Sequence, residues 1–250
     1  MMPSNLPAAS LDWCLFLDVD GALAELAETA APTAADATRR TLLDEVAERL
    51  GGAVALVSGR SIAGVDALFA PLRLPTAGLH GVERRKASGA VQGAGYVDAQ
   101  LNAARAALAH FVAEHPGTLL EDRHRSLAVH FRGAPQHESS VRHAIAAAAK
   151  PMGTNYQVQQ GNQMLEIKPY GFTKGTAVKE YLQEPPFSGR KPVFVGDDLW
   201  DSSGFRAVEV FGGICIAVGD RIGGEWRAED ATAVRRWLET IAALTDAHRA

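Results

Sequence analysis

Two aspartates one residue apart, Asp18 and Asp20, followed by Gly21, close an apolar run that begins at Leu15. If that run is a buried strand, both carboxylates emerge at its carboxyl end, where open α/β sheets bind their ligands. Taken alone, Asp-x-Asp-Gly also reads as a turn capping the next helix, because Asp and Gly are ordinary turn residues. Two further apolar runs end in the same way. Ala53-Val54-Ala55-Leu56-Val57 leads into Ser58-Gly59-Arg60, and Val193-Phe194-Val195-Gly196 leads into Asp197-Asp198, with Asp201 three positions on. Lys174 stands at the start of a predicted helix just before the last of these strands.

Parallel strands of one sheet present their carboxyl ends along one edge, so these residues can converge across about 180 positions of sequence. The chemistry suited to such a set is phosphoryl transfer through an aspartyl-phosphate. Asp18 would attack phosphorus, and Asp20 would protonate the leaving oxygen and then activate water. A phosphate monoester is doubly negative near neutral pH, so positive charge is needed beside an anionic nucleophile. Mg²⁺ and Lys174 can supply it. Asp18, the Asp20 carbonyl and Asp197 are the candidate metal ligands, with Asp198 and Asp201 orienting waters or Asp197 itself. Ser58, Lys174 and backbone N–H groups of the Gly21-Ala22 turn would hold phosphoryl oxygens.

The elements that position these groups follow from periodicity. A helix carrying Leu43, Val46, Ala47 and Leu50 on one face joins the first two strands, after an Ala-rich connector at 25–33. A helix at 62–68 and a short strand at 76–79 make another unit, and 84–95 reads as a charged, Gly-rich linker. The texture then changes. A helix over 97–114, a strand over 126–132, a helix over 136–150 and a hairpin of 156–160 and 163–168 turned at Gly161-Asn162 suggest a small α+β unit. Strand–helix alternation resumes after 169–172, with strands at 191–196 and 214–218 and helices at about 173–182, 204–208 and 230–244. The expected fold is α/β, a Rossmann-like parallel-sheet core (1–86 and 170–250) interrupted by an α+β cap (87–169).

Composition bounds the partners. A net charge of -4 over 250 residues, with no longer basic run than Arg84-Arg85-Lys86, argues against nucleic acid or anionic membrane as a partner. No apolar segment approaches the roughly 20 residues that span a bilayer, and the N-terminus lacks the basic and small-residue features of a secretory leader. Cys14 and Cys215 both fall in apolar strand-like segments, where buried reduced thiols are expected. These readings favour the cytoplasm, with a monomer as the working expectation.

The catalytic motifs, in order, resemble those of the haloacid dehalogenase-like phosphatases, in the subgroup whose α+β cap follows the second motif. Within it the chain is similar to the trehalose-6-phosphate phosphatase family, on Val57-Ser58-Gly59-Arg60-Ser61, Ala77-Gly78-Leu79-His80-Gly81-Val82-Glu83-Arg84-Arg85, Ala134-Pro135-Gln136-His137-Glu138, Glu166-Ile167-Lys168-Pro169 and Val195-Gly196-Asp197-Asp198-Leu199. The resemblance implies that the cap supplies sugar contacts. Glu166 matches the family's cap glutamate, Arg123 falls where a cap lysine is usual, and Arg60, His80, Glu83 and Arg132 are candidate lining residues. The chain departs from the family pattern at Ala22 (threonine), at Trp200 and Ser202 in the Asp197-Asp198-Leu199-Trp200-Asp201-Ser202 run, and at Asn162 (a cap lysine). The implied activity is Mg²⁺-dependent hydrolysis of trehalose 6-phosphate. The alternatives are a related phosphatase retuned to another sugar phosphate, which Trp200 and Asn162 favour, and a non-catalytic sugar-phosphate-binding partner of a trehalose synthase.

Overall fold

The computed structural model describes residues 6–24, 37–93, 99–123 and 125–245. The connector at 25–33 lies outside them. The chain divides into two compact units, one formed by residues 1–93 and 173–250, the other by 94–172.

The first unit is built on a sheet of eight strands. In chain order these are β1 (Trp13–Asp18), β2 (Val54–Val57), β3 (Thr76–Gly78), β4 (Glu83–Arg85), β5 (Val91–Gly93), then β10 (Lys191–Gly196), β11 (Ile214–Val218) and β12 (Trp226–Ala228), with β6 to β9 belonging to the second unit. Their spatial order is β12-β11-β10-β1-β2-β3-β4-β5. The six strands from β12 to β3 run parallel, whereas β4 and β5 are antiparallel. The sheet is therefore mixed rather than wholly parallel. The 84–95 stretch expected as a linker instead supplies most of the β4–β5 hairpin that extends the sheet.

β1 is central and buried along its whole length, consistent with its continuous apolar run. Adjacent strand residues point to opposite faces, so Trp13 and Phe16 face opposite sides. Trp13 meets Trp237 of α7 (Ala231–Ala242) at 5.9 Å between ring centroids, and Phe16 meets Tyr181 of α5 (Lys174–Tyr181) at 6.0 Å. Helices thus cover both faces. α1 (Ala37–Arg49) packs beside α7, and α6 (Ser202–Val210) beside α5. α2 (Ile62–Phe69) begins where Ser61 accepts the Gly64 N–H at 3.1 Å. Cys14 and Cys215 are both free and buried. They lie on β1 and β11 with β10 between them, about 10 Å apart by strand spacing and beyond the reach of a disulfide.

The second unit is a four-stranded antiparallel sheet in the order β6-β7-β9-β8 with two helices. Its strands are β6 (Leu119–Asp122), β7 (Leu127–His130), β8 (Tyr156–Gly161) and β9 (Met164–Pro169), and its helices α3 (Ala99–Glu114) and α4 (Glu138–Ala149). β6 is an addition to the sequence expectation. Leu127, Val129, Leu165 and Ile167 form its core with Leu101, Leu108, Val141 and Ile145. The alternate residues of the same strands make a polar face. Among the described residues no helix is long and apolar enough to cross a membrane.

Candidate active site

Sheet register brings the catalytic candidates of the first unit to one edge. Asp18 lies opposite Val57, so Ser58 follows one residue beyond it on β2. Leu17 lies opposite Val195, which places Asp197 one residue past the level of Asp18 on β10. Beyond β1 the chain turns tightly, with Gly21 N–H donating to Ala24 O at 2.7 Å and Ala24 N–H to Val19 O at 2.8 Å. Gly21 takes φ +94°, and a Cβ there would stand 2.1 Å from Asp197 Oδ2. Only glycine satisfies both the left-handed backbone and that close approach. The Ala22 side chain is fully buried in the apolar core, so its backbone is the part of it left to meet a phosphoryl oxygen.

Asp18, Asp197 and Asp201 form a buried triad whose ligand atoms lie within 4.8 Å of one another. Lys174 enters from the first turn of α5, which Thr173 caps through the Thr176 N–H. Its Nζ donates to Asp18 Oδ1 and to Asp201 Oδ1, each at 2.6 Å. Burial opposes the Lys174 charge, but the two carboxylates outweigh it and hold the ammonium above its ordinary pKa. For Asp18, burial raises the pKa well above the carboxylate range, opposed by Lys174 and reinforced by Asp201. The ammonium serves Asp18 and Asp201 but not Asp197.

Asp201 is more central than an orienting role implies. The short turn Leu199–Asp201 brings its carboxylate back under the strand end, where Oδ2 accepts the N–H groups of Asp197 at 3.0 Å and Asp198 at 3.2 Å. Asp198 caps the same turn through the Trp200 N–H at 2.9 Å and lies outside the triad. Asp20 is also outside it. Its carboxylate takes a two-pronged ion pair from Arg60, with contacts of 2.6 to 3.0 Å. Ser58 is fully buried, and its hydroxyl accepts the Arg60 N–H at 3.0 Å.

Two loops beside the triad are joined by a ring stack. His80 has φ 56°, donates its N–H to Ser58 O at 2.9 Å and packs its imidazole against the Gly59 backbone. It stacks on the half-buried Trp200 with centroids 4.9 Å apart and planes inclined by 20°. Leu199, next to Trp200, is 75 % exposed. Glu83 accepts the Ile62 N–H at the start of α2 at 2.9 Å, a helix-capping role.

In the second unit, Glu166 is buried, with Oε1 accepting from Ser126 at 2.6 Å and Arg123 at 3.3 Å, and Oε2 buried without a hydrogen-bond partner. Arg123 also donates to Glu121 at 2.7 Å, and His130 Nε2 lies 2.9 Å from the same Glu121 oxygen. Burial would raise Glu121, but hydrogen bonds from His130 and Arg123 prevail and pull it to about 2. Lys168 is buried, and that burial lowers its pKa against the pull of Glu166. Arg132 and Asn162 are exposed. Sequence reasoning missed Glu121, Ser126, His130 and Lys168. Their signal was strand alternation, since Glu121 and Arg123, or Glu166 and Lys168, share a face at i, i+2.

Arg221 was also missed. It lies in the loop between β11 and β12, and its Nη2 contacts Asp197 Oδ2.

The trehalose-phosphatase family model matches residues 16–235. The chain belongs to that family. It is 39% identical over 217 residues to a probable trehalose-phosphate phosphatase of Sinorhizobium fredii, covering 86% of this chain and 82% of the relative. Identity to the trehalose-6-phosphate phosphatase of Escherichia coli is 37% over 239 residues, covering 95% and 90%. The fold is that of a solved trehalose-6-phosphate phosphatase related protein, with a TM-score of 0.74 at 23% identity over 92% of this chain and 96% of the other. As a trehalose-phosphatase family member the protein is a phosphoric monoester hydrolase. The triad fits the cation expected of such an enzyme, because three buried carboxylates offer the hard oxygen donors that Mg²⁺ prefers.

Proposed function

We propose that the protein hydrolyses trehalose 6-phosphate to trehalose and phosphate through an aspartyl-phosphate on Asp18. The observation that carries this reading is the buried Lys174 ammonium held between Asp18 and Asp201, beside Asp197, at the carboxyl edge of the sheet. Asp18, Asp197 and Asp201 would hold Mg²⁺, which when bound supplies the positive charge that an anionic nucleophile needs beside a phosphate dianion.

A carboxylate oxygen of Asp18 attacks phosphorus as the bond to the sugar oxygen breaks, and Asp20 gives that oxygen its proton. Asp20 then takes a proton from the water that attacks the phosphoryl group, and the phosphorus–Asp18 bond breaks to release phosphate. Arg60 engages the Asp20 carboxylate, so Asp20 breaks that ion pair when it turns to the leaving oxygen. Lys174 holds Asp18 in place and offsets its charge throughout. Glu166, Arg123, Glu121 and Lys168 form a dense donor and acceptor set suited to sugar hydroxyls. The substrate assignment is supported by the names of the relatives and by the cap motif Glu166-Ile167-Lys168-Pro169. Two free buried thiols support a reducing, cytoplasmic setting.

Phosphate release from a panel of sugar phosphates in Mg²⁺ buffer is the test. Trehalose 6-phosphate should be the preferred ester, and Asp18→Asn should abolish turnover. Brisk turnover of another ester with none of trehalose 6-phosphate would overturn the substrate, in favour of the retuned reading that the Trp200–His80 stack supports. An inactive wild-type chain would favour the non-catalytic sugar-phosphate-binding partner of a trehalose synthase.

A further inference from the structure

Lys174 serves two of the three triad carboxylates, Asp18 and Asp201. The third, Asp197, receives its positive charge from elsewhere. Arg221 reaches it from the loop after β11, bringing a side chain that is 48% exposed onto a carboxylate that is 4% exposed. From the β1 side Asp197 Oδ2 is closed by the Gly21 backbone, where even a methyl group would collide. The guanidinium and a cation bound by the triad would therefore draw on the same carboxylate.

The loop is built so that this contact can break without refolding. Gly219 N–H donates to Ala228 O at 3.0 Å, and Arg227 contacts Gly219 O and reaches Ile222 O at 3.4 Å. Ile222 is itself buried in the core. Arg221 lies between these anchors, so its long side chain can swing away while the backbone stays pinned. Arginine suits the role, since its guanidinium is always charged and less strongly hydrated than an ammonium.

We propose that Arg221 is a displaceable counter-cation for Asp197, which competes with the divalent ion and so sets the protein's affinity for it. Arg221 steadies Asp197 before the ion binds and is released when it does. The contact thereby weakens metal binding in exchange for a stable, correctly placed carboxylate. This inference rests on the proposed metal site.

The test compares Mg²⁺ binding by wild type, Arg221→Gln and Arg221→Lys by isothermal titration calorimetry, with thermal unfolding as a second readout. Arg236→Gln, an exposed change on α7, controls for net charge. A charge-assisted hydrogen bond of ordinary strength implies that Arg221→Gln lowers the Mg²⁺ Kd by about 10-fold or more. The Gln variant should melt lower than wild type without metal and gain more on adding Mg²⁺. Arg221→Lys should stay nearer to wild type, and Arg236→Gln should match it. Equal or weaker Mg²⁺ binding by Arg221→Gln, with wild type binding normally, would overturn the competition while leaving the metal site intact. Failure of wild type itself to bind Mg²⁺ would overturn the metal site and this inference together.

Discussion

Replacing Asp201 tests the frame of the site most directly. Its side chain is fully buried and accepts three hydrogen bonds, from the Lys174 ammonium and from the N–H groups of Asp197 and Asp198. In Asp201→Asn the shape is kept, but the amide can present its oxygen either to Lys174 or to the two N–H groups. Whichever side meets the NH₂ then sets donor against donor. Losing a hydrogen bond to a charged group costs about 1.5–3 kcal/mol. Relief of repulsion with Asp18 gives some of this back, so a net loss of about 2 kcal/mol is expected. For a chain of this size that lowers Tm by about 4–8 °C. Asp201→Ala leaves a buried ammonium short of a partner and two N–H groups bare, and about 3–5 kcal/mol should go, or some 6–20 °C. Differential scanning fluorimetry without added metal gives the answer. A Tm equal to or above wild type in both variants would show that carboxylate repulsion outweighs the hydrogen bonds, and the account of Asp201 as the brace of the triad would fail.

Trp200→Thr removes the ring stacked on His80. An aromatic pair contributes about 0.5–1.5 kcal/mol, so the ratio of kcat/KM for trehalose 6-phosphate to that for a small aryl phosphate should change by about 2- to 12-fold; an unchanged ratio would leave Trp200 as packing for His80 alone. Glu121, with its folded pKa lowered to about 2, contributes stability that is complete above the unfolded carboxylate value of about 4.3 and is lost as pH falls towards 2. The Tm gap between wild type and Glu121→Gln should therefore narrow across that window, and a constant gap would count against the ion pairing. Burial pushes the Cys14 and Cys215 thiols up to about 12, so both should resist a thiol reagent at pH 8 in the folded protein and react after guanidinium unfolding.

The strands that carry the candidate catalytic residues were legible because burial on both faces leaves an uninterrupted apolar run, as at Ala53-Val54-Ala55-Leu56-Val57. The β4–β5 hairpin was not. Arg84 and Arg85 read as solvated linker charges, yet both are buried, Arg85 paired with Asp66 and Arg84 with Glu180 and Glu184. Ion pairs supplied from α2, from α5 and from beyond α5 are long-range facts that local composition does not contain. Asp18, Lys174 and Asp197 were legible from their places at strand ends and a helix start. Asp201 was named but given too small a part, because only the tightness of the turn at 199–201 returns its carboxylate to the strand. Arg221 carried no motif. A strand-end loop on the catalytic edge was the one available hint, and no local pattern distinguishes its arginine from a solvated one.

β1 pairs with β2 on one side and with β10 on the other. About 170 residues, including the whole inserted unit, separate the end of β1 from the start of β10. At about 5–20 residues per second, a ribosome takes roughly 10–35 s to deliver the second partner after the first strand has emerged. Throughout that interval the nascent chain carries an apolar strand with one edge unpaired, the template for association with another copy. Lys174 arrives late as well, so the carboxylate of Asp18 waits for its counter-charge. The inserted unit, closed on its own core, can finish folding within that wait. The order of synthesis thus leaves a strand that is buried along its whole length in the mature enzyme the longest exposed during its birth, and its dependence on chaperones should centre there.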